Sequence, residues 1–143
     1  MELRTFLGGV HPAPSKDRTA ASPIEAAPLP KRVVIPLVQG GAPCEPLVKQ
    51  GDAVLAGQKI GESKAFVSAP VHASISGKVT AIETHLLPTG REAPAVVIEG
   101  DESDTWVETK GHALDGLTVE DLKALIREAG LVGMGGAMFP AHV

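Results

Sequence analysis

Two short stretches near the middle of the chain decide its fold: LVKQGDAV at residues 47–54 and ISGKVTAI at residues 75–82. Each places a glycine, Gly51 or Gly77, between apolar residues of strand-forming type. Glycine permits the tight reversals that join short strands, and apolar residues bounded by such turns are typical of β-structure. The two stretches therefore predict two similar β halves, each built around a glycine turn.

The chain around these stretches carries the same pattern from residue 31 to residue 98. Short runs of valine, isoleucine and leucine alternate with glycine and proline, which interrupt strands and form turns. We therefore predict a mainly β domain over residues 31–99. Its strands are expected at residues 32–38, 46–48, 54–55, 59–61, 66–68, 73–75, 78–86 and 95–99.

The segments on both sides of this domain lack strand patterning. Residues 1–30 are rich in proline, which removes amide donors and blocks helices, so we expect an extended lead-in. Within it, FLGGV at residues 6–10 is apolar enough to pack on a neighbouring surface. Residues 100–117 are acidic and polar, and we expect a linker that Trp106 anchors on the β domain, because tryptophan side chains are mostly buried.

A single helix is predicted between residues 118 and 130. Thr118 is a favourable N-cap, Asp121 follows it at the capping-box spacing, and Gly130 is a typical helix stop. The apolar residues of the segment share one face, which requires a covering surface. They are Val119, Leu122, Leu125, Ile126 and Ala129.

Composition limits the size and the chemistry of the protein. A chain of 143 residues builds one good core, and with 43% hydrophobic but only 3% aromatic residues that core must be aliphatic. The net charge of −4 comes without a basic cluster, which argues against a nucleic-acid partner. No apolar run approaches the roughly 20 residues that cross a membrane, and the lone Cys44 favours a reducing compartment.

The sequence gives little support to a metal site or a hydrolytic triad. The five histidines show no ligand spacing and no cysteine pair accompanies them, so neither metal ligands nor catalytic residues are predicted. His72 is the histidine of most interest, and a structural hydrogen bond is its favoured role.

The spacing of the β region resembles that of a known fold. GDxVxxGQxI at residues 51–60, followed by SGKV at residues 76–79, is similar to the barrel-sandwich hybrid of biotinyl and lipoyl domains. One alternative is therefore a carrier domain, in which Lys64 would receive the prosthetic group. The turn to Gly77 is longer than in lipoyl carriers and Ser63 replaces the usual acidic residue, which disfavours that alternative. A non-catalytic interaction module is another.

The glycine-rich loop GMGGAMFPAHV, residues 133–143, follows directly on the predicted helix. Its three glycines permit positive φ and let a ligand approach the main chain closely, as a phosphate or a flat ring requires. A chain that stops on such a loop is interpreted as a fragment of a longer protein.

The run from residue 126 to residue 143 resembles the flavin and NADH loop of RnfC, a component of the Rnf electron-transport complex and a relative of the flavin-carrying subunit of respiratory complex I. The resemblance covers nearly the whole chain, because further motifs follow in the RnfC order. They are FxGGVHP at 6–12, PI at 23–24, LP at 29–30, IPLxQ at 35–39, GDxVxxGQxIG at 51–61 and VSAPVHAxxSGxV at 67–79.

The resemblance implies cofactors. The full-length protein would carry FMN, contact NAD(H) and hold two [4Fe-4S] clusters, whose cysteines are absent from this chain. Met138 stands where the family often has a small residue. The residues that would line the flavin are Gly133, Gly135, Gly136, Ala137 and Phe139.

The resemblance also implies a setting. The Rnf complex transfers electrons between ferredoxin and NAD and couples this transfer to ion transport, and RnfC lies peripherally on the cytoplasmic face of the inner membrane beside the other subunits. Residues 31–99 would be a structural or docking domain without chemistry of its own. Residues 118–143 would be the first helix and loop of a truncated FMN- and NADH-binding domain.

We predict that this chain alone binds FMN weakly or not at all, because it would hold only part of the flavin site. The purified 143-residue chain should show no stoichiometric flavin absorbance in the visible range. Stoichiometric flavin in that preparation would contradict the prediction.

Overall fold

The computed structural model describes Gly8 and residues 12–143. In chain order the elements are β1 (Arg32–Pro36), β2 (Glu45–Pro46), β3 (Ala53–Val54), β4 (Lys59–Glu62), β5 (Val71–His72), β6 (Gly77–Leu86), β7 (Glu92–Gly100) and α1 (Val119–Glu128). Strands pair antiparallel in two sheets, ordered β1-β7-β6-β3 and β2-β4-β5. The predicted mainly β architecture with one helix is confirmed.

The two glycine stretches lie against each other in the fold. Val54 of β3 pairs with Gly77 of β6, and the amide of Gly51 donates to the carbonyl of Val79 at 2.8 Å. In return the amide of Val79 donates to the carbonyl of Asp52, also at 2.8 Å. The two glycine stretches are therefore hydrogen-bonded partners, and their pairing adds β3 as an edge strand of the larger sheet.

A long hairpin of β6 and β7 forms the centre of the larger sheet. Strand β7 lies between β1 and β6 and buries four consecutive residues, from Ala95 to Ile98. Burial of successive residues means that both faces of the strand are covered, which explains why this segment is continuously apolar. A register shift between Val79 and Ala81 interrupts the regular pairing of β6 with β7, as a β-bulge does.

The core between the sheets is aliphatic, as the composition requires. It contains no aromatic side chain among the described residues, and Phe66 and Trp106 are 75% and 61% exposed. Its members come from both sheets and from the turns between them. They are Leu37, Cys44, Val54, Ile60, Val71, Ala73, Ile75, Val79, Val96 and Ile98.

Two predicted strands are wrong. Residues 66–68 form a loop between β4 and β5, with the hydroxyl of Ser68 donating to the carbonyl of Ala65 at 2.6 Å. The apolar run at Phe66 and Val67 is typical of a strand, but both side chains are exposed and neither residue pairs with another strand. The strand predicted at 73–75 is also wrong, because β5 ends at His72 and residues 73–75 belong to no strand.

The flanking segments differ in how they meet the β domain. Residues 12–30 are exposed and form no strand or helix, while the predicted apolar segment at 6–10 falls outside the described residues except for Gly8. The linker, in contrast, is attached: Trp106 forms a parallel bridge with Ala56, and the amide of Val107 donates to the Ala56 carbonyl at 2.9 Å. Trp106 thus anchors the linker through its backbone while its ring remains largely exposed.

Replacing Ile98 by alanine should lower the free energy of unfolding by about 2–5 kcal/mol, because it leaves a cavity at the centre of β7. Leu86→Ala is the matched control, since this side chain is 72% exposed at the end of β6 and its loss should cost less than about 0.5 kcal/mol. Urea denaturation of both variants measures the difference. Equal losses would contradict the described core.

Candidate functional site

Helix α1 begins at a complete capping box. The amide of Asp121 donates to the Thr118 hydroxyl at 3.2 Å, and the Thr118 amide donates to the Asp121 carboxylate at 2.9 Å. These hydrogen bonds hold the pKa of Asp121 below its ordinary value. The predicted N-terminus and its cap are therefore confirmed, and the helix needs no tertiary contact to start there.

The C-terminal turn of α1 is fixed on β4. The guanidinium of Arg127 donates to the Ser63 carbonyl at 2.7 Å and to the Glu62 carboxylate at 3.4 Å. Lys59, also on β4, forms an ion pair with Glu128. No residue of the helix is fully buried, so these polar contacts, together with half-buried Leu125 and Ile126, hold it against the β domain.

Gly130 ends the helix against β5. It has φ +66°, and a Cβ there would lie 2.7 Å from the Pro70 carbonyl oxygen and 2.9 Å from Nδ1 of His72. Only glycine combines the left-handed backbone with so close an approach. The predicted helix stop is confirmed, and it also sets the distance between the helix and the β domain.

The glycine-rich loop leaves the helix through a closed neck. Val132 and Pro140 form an antiparallel bridge, the Gly133 amide donates to the Phe139 carbonyl at 2.9 Å, and the Ala141 amide donates to the Leu131 carbonyl at 3.0 Å. Pro140 is buried. The neck turns residues 133–139 into one compact loop.

All five predicted flavin-lining residues lie in or at the neck of this loop and are exposed. A Cβ at Gly135 or Gly136 would meet no atom within 4 Å. Within the described residues, the amides of Gly135, Gly136 and Ala137 donate to no other protein group. Because these amides are available as donors and the glycines carry no side chain to block access, a phosphate or a flat ring can approach the main chain of the loop.

Basic side chains line a cleft beside the end of the loop. It is lined by Lys64, Lys123 and Arg127, with the ring of Phe66 and the imidazole of His142. The Nδ1 atom of His142 is buried and has no hydrogen-bond partner in the described part of the chain. The two lysines beside His142 and Val143 give the end of the loop an anion-compatible character.

Two titratable groups of the β domain, half-buried His72 and buried Cys44, serve the packing. Burial lowers the pKa of His72, the neighbouring Lys59 ammonium lowers it further, and Glu128 acts in the opposite direction. Burial raises the pKa of Cys44, whose thiol donates to the Ala69 carbonyl at 3.3 Å. A thiol in that state is a poor nucleophile and a poor metal ligand at neutral pH.

The described residues show neither an isolated lysine hairpin nor a metal-ligand cluster. Lys64 is exposed in the loop after β4, but the carbonyl before it is bonded to Arg127, so the segment is tied to the helix. No three His, Cys, Asp or Glu side chains of the described residues come together as metal ligands. No helix in this part of the chain has the length and apolar character to cross a membrane.

Residues 4–103 match the family described as "RnfC Barrel sandwich hybrid domain". The chain belongs to this family. The barrel-sandwich hybrid fold expected from the glycine spacing is thereby confirmed, and the RnfC match covers both sheets, including the β3–β6 pairing.

Curated relatives extend the similarity to the loop. The chain is 50% identical over 144 residues to the C subunit of a proton-translocating ferredoxin:NAD(+) oxidoreductase complex of Clostridium ljungdahlii, covering 99% of this chain. It is 45% identical to the C subunit of the Na(+)-translocating complex of Acetobacterium woodii, covering 97%. Identity to the C subunit of an ion-translocating oxidoreductase complex of Pseudomonas aeruginosa is 44%, covering 96%. The chain spans only 32%, 32% and 18% of these proteins.

The sequence did not reveal which part of the β domain meets the loop. Gly40 and Gly41 have the pattern of an ordinary turn, yet a Cβ at Gly40 would lie 1.3 Å from the Met138 carbonyl oxygen. Two adjacent glycines after a predicted strand were the available signal, but glycine pairs also form plain turns, so the contact could be found only in the structure.

Acidification should weaken the contact between α1 and the β domain through His72. The folded-state pKa of His72 lies below the unfolded value of 6.5. The contribution of the neutral imidazole to the stability of the folded protein is therefore complete above about pH 6.5. It is lost as the pH falls through the folded-state pKa. The free energy of unfolding should therefore drop between about pH 7.5 and pH 5, and His72→Gln should reduce that drop.

His112→Gln is the control, because this histidine is exposed in the linker. Urea titrations of the three proteins at both pH values measure the effect. An unchanged pH dependence in His72→Gln would show that His72 does not carry it.

Proposed function

We propose that this chain is part of the peripheral flavin- and NAD(H)-carrying subunit of an ion-translocating ferredoxin:NAD oxidoreductase complex. The observation that carries the proposal is identity of 50% and 45% over nearly the whole chain to the C subunits of two such complexes. The matched region includes the glycine-rich loop, since the match to the first of these relatives covers 99% of the chain.

The geometry of the loop supports FMN binding at this end of the molecule. In this proposal the amides of Gly135, Gly136 and Ala137 donate to the phosphate or ring of the flavin, and the glycines admit it close to the main chain. Phe139, 53% exposed at the neck, offers an apolar face. Bound flavin would supply the two-electron exchange with NAD(H) and the one-electron steps beyond it.

The basic cleft suits the same ligands. FMN and NAD(H) are both anionic, and Lys64 and Lys123 place positive charge beside His142 and Val143 at the end of the loop, whereas the charge of Arg127 is paired with Glu62. Such charge attracts anions over distances of about 8–10 Å at physiological salt. We therefore assign the loop to binding and orientation, and no described residue is assigned a proton-transfer role.

The chain does not fit the iron–sulfur clusters that the resemblance implies. Clusters of this type take four cysteine thiolates each, whereas this chain has one cysteine, Cys44, which lies buried in the aliphatic core. In the proposal, both [4Fe-4S] clusters are therefore held by parts of the protein outside this chain. The proposed setting is the cytoplasmic face of the inner membrane, against other subunits of the complex and with ferredoxin and NAD(H) as electron partners.

Gly135→Ala tests the flavin assignment. The added methyl meets no protein atom within 4 Å, so the folded chain should be unaffected, while a flavin in close contact with the loop would be obstructed. The test uses a chimera in which this chain replaces the matching segment of the Clostridium ljungdahlii relative. We expect FMN affinity to fall about tenfold, corresponding to about 1.4 kcal/mol.

Gly111→Ala is the matched control, because this linker glycine also has no atom within 4 Å of an added Cβ. FMN affinity is measured by flavin fluorescence titration of the apo chimera. Equal affinities of both variants and the parent would contradict flavin contact at the loop, and a parent chimera without flavin would contradict the proposed function.

A further inference from the structure

We infer that the turn Gln39-Gly40-Gly41 of the β domain is a seat that fixes the shape of the glycine-rich loop, and that Gly40 is a positioning residue for the flavin. The part of this inference that concerns flavin rests on the proposed function. The β domain would then complete the cofactor site without touching the cofactor.

The contact between seat and loop joins backbone to backbone. A Cβ at Gly40 would lie 1.3 Å from the carbonyl oxygen of Met138 and 2.2 Å from its carbonyl carbon. A flexible side chain could rotate away from such a clash, but two main chains cannot separate without moving the loop. Any side chain at position 40 therefore displaces Met138.

Both partners hold unusual backbone angles at this contact. Gly40 has φ +59° and Met138 has φ +49°. A left-handed methionine is uncommon and persists only where surrounding structure imposes it. Met138 lies next to Phe139, whose carbonyl accepts the neck hydrogen bond from Gly133. The contact between the seat and the loop therefore lies one residue from the neck.

The seat is itself rigid. A Cβ at Gly41 would lie 2.3 Å from the Val67 carbonyl oxygen, which also accepts a hydrogen bond from the Ala42 amide at 2.9 Å. On the other side, the side-chain amide of Gln39 donates to the Pro70 carbonyl at 2.8 Å. Two hydrogen bonds and one close backbone approach over four residues leave this turn little freedom.

The same small surface holds both ends of the loop segment. Gly130, before the loop, approaches the Pro70 carbonyl that Gln39 binds, and Met138, at the end of the loop, rests on Gly40. The loop itself is rich in glycine and has many accessible conformations in isolation. Fixing its two ends on one rigid surface orients the open amides between them before a ligand arrives, which reduces the entropy lost on binding.

Gly40→Ala tests the seat. In the 143-residue chain, amide hydrogen exchange of Gly133 and Ala141 should accelerate, while that of the β6–β7 hairpin should stay unchanged. In the chimera, FMN affinity should fall about tenfold or more, because a small displacement of binding groups is costly. The visible circular dichroism of the remaining bound flavin should change, since its surroundings are altered.

Gly90→Ala is the matched control. Gly90 has φ +78° but no atom within 4 Å of an added Cβ, so it carries the same left-handed backbone cost without a clash. If Gly40→Ala fails to fold, Gln39→Ala replaces it, because this variant removes the 2.8 Å bond to Pro70 without adding an atom. Gln39→Ala should accelerate amide exchange of Gly133 and Ala141, lower FMN affinity and alter the flavin dichroism, each by less than Gly40→Ala does.

The two measurements separate the seat from the proposed function. Unchanged exchange at Gly133 and Ala141 would overturn the seat, and altered exchange with unchanged FMN affinity and dichroism would overturn Gly40 as a positioning residue. A parent chimera that binds no flavin overturns the proposed function and the flavin role of Gly40 with it, while the exchange measurement still decides whether the seat exists.

Discussion

The hydrogen bonding between the two glycine stretches is the constraint on which the rest of the molecule depends. Gly51 and Val79 bond beside the β3–β6 pair, and this pairing joins β3 to the long hairpin of the larger sheet. Val54 of β3 and Val79 of β6 are both members of the aliphatic core. Because no aromatic side chain of the described residues contributes to that core, its stability depends on many small contacts and on close backbone approach.

Close contacts between main chains also determine how helix α1 and the glycine-rich loop pack on the β domain. Helix α1 buries no residue completely, so hydrophobic area alone does not explain its position. Three kinds of contact position the C-terminal segment on the β domain. They are the ion pair to β4, the hydrogen bond from Arg127 to the Ser63 carbonyl, and the close backbone approaches at Gly40 and Gly130. Exposed ion pairs contribute little individually, and the steric fit at the two glycines therefore sets the geometry that the charges stabilise.

Local features of the fold were predictable from the sequence because they depend on nearby residues. The capping box at Thr118, the stop at Gly130 and the strand pattern of residues 78–86 each involve residues close in the chain. The strand expected at 66–68 was wrong because an apolar run does not reveal whether a partner strand is available. The loop was recognised as a candidate site from its glycines, but its contact with Gly40 joins residues almost one hundred positions apart in sequence, and no local pattern encodes such a pair.

The position of Trp106 has a practical consequence for spectroscopy. It is the only tryptophan in a chain without tyrosine, and it sits on the linker, outside a core in which the described residues include no aromatic ring. Its fluorescence therefore reports whether the linker is attached at Ala56 and responds little to events inside the β domain. A change in tryptophan emission would mark release of the linker as a separate step, which distinguishes local detachment from global unfolding.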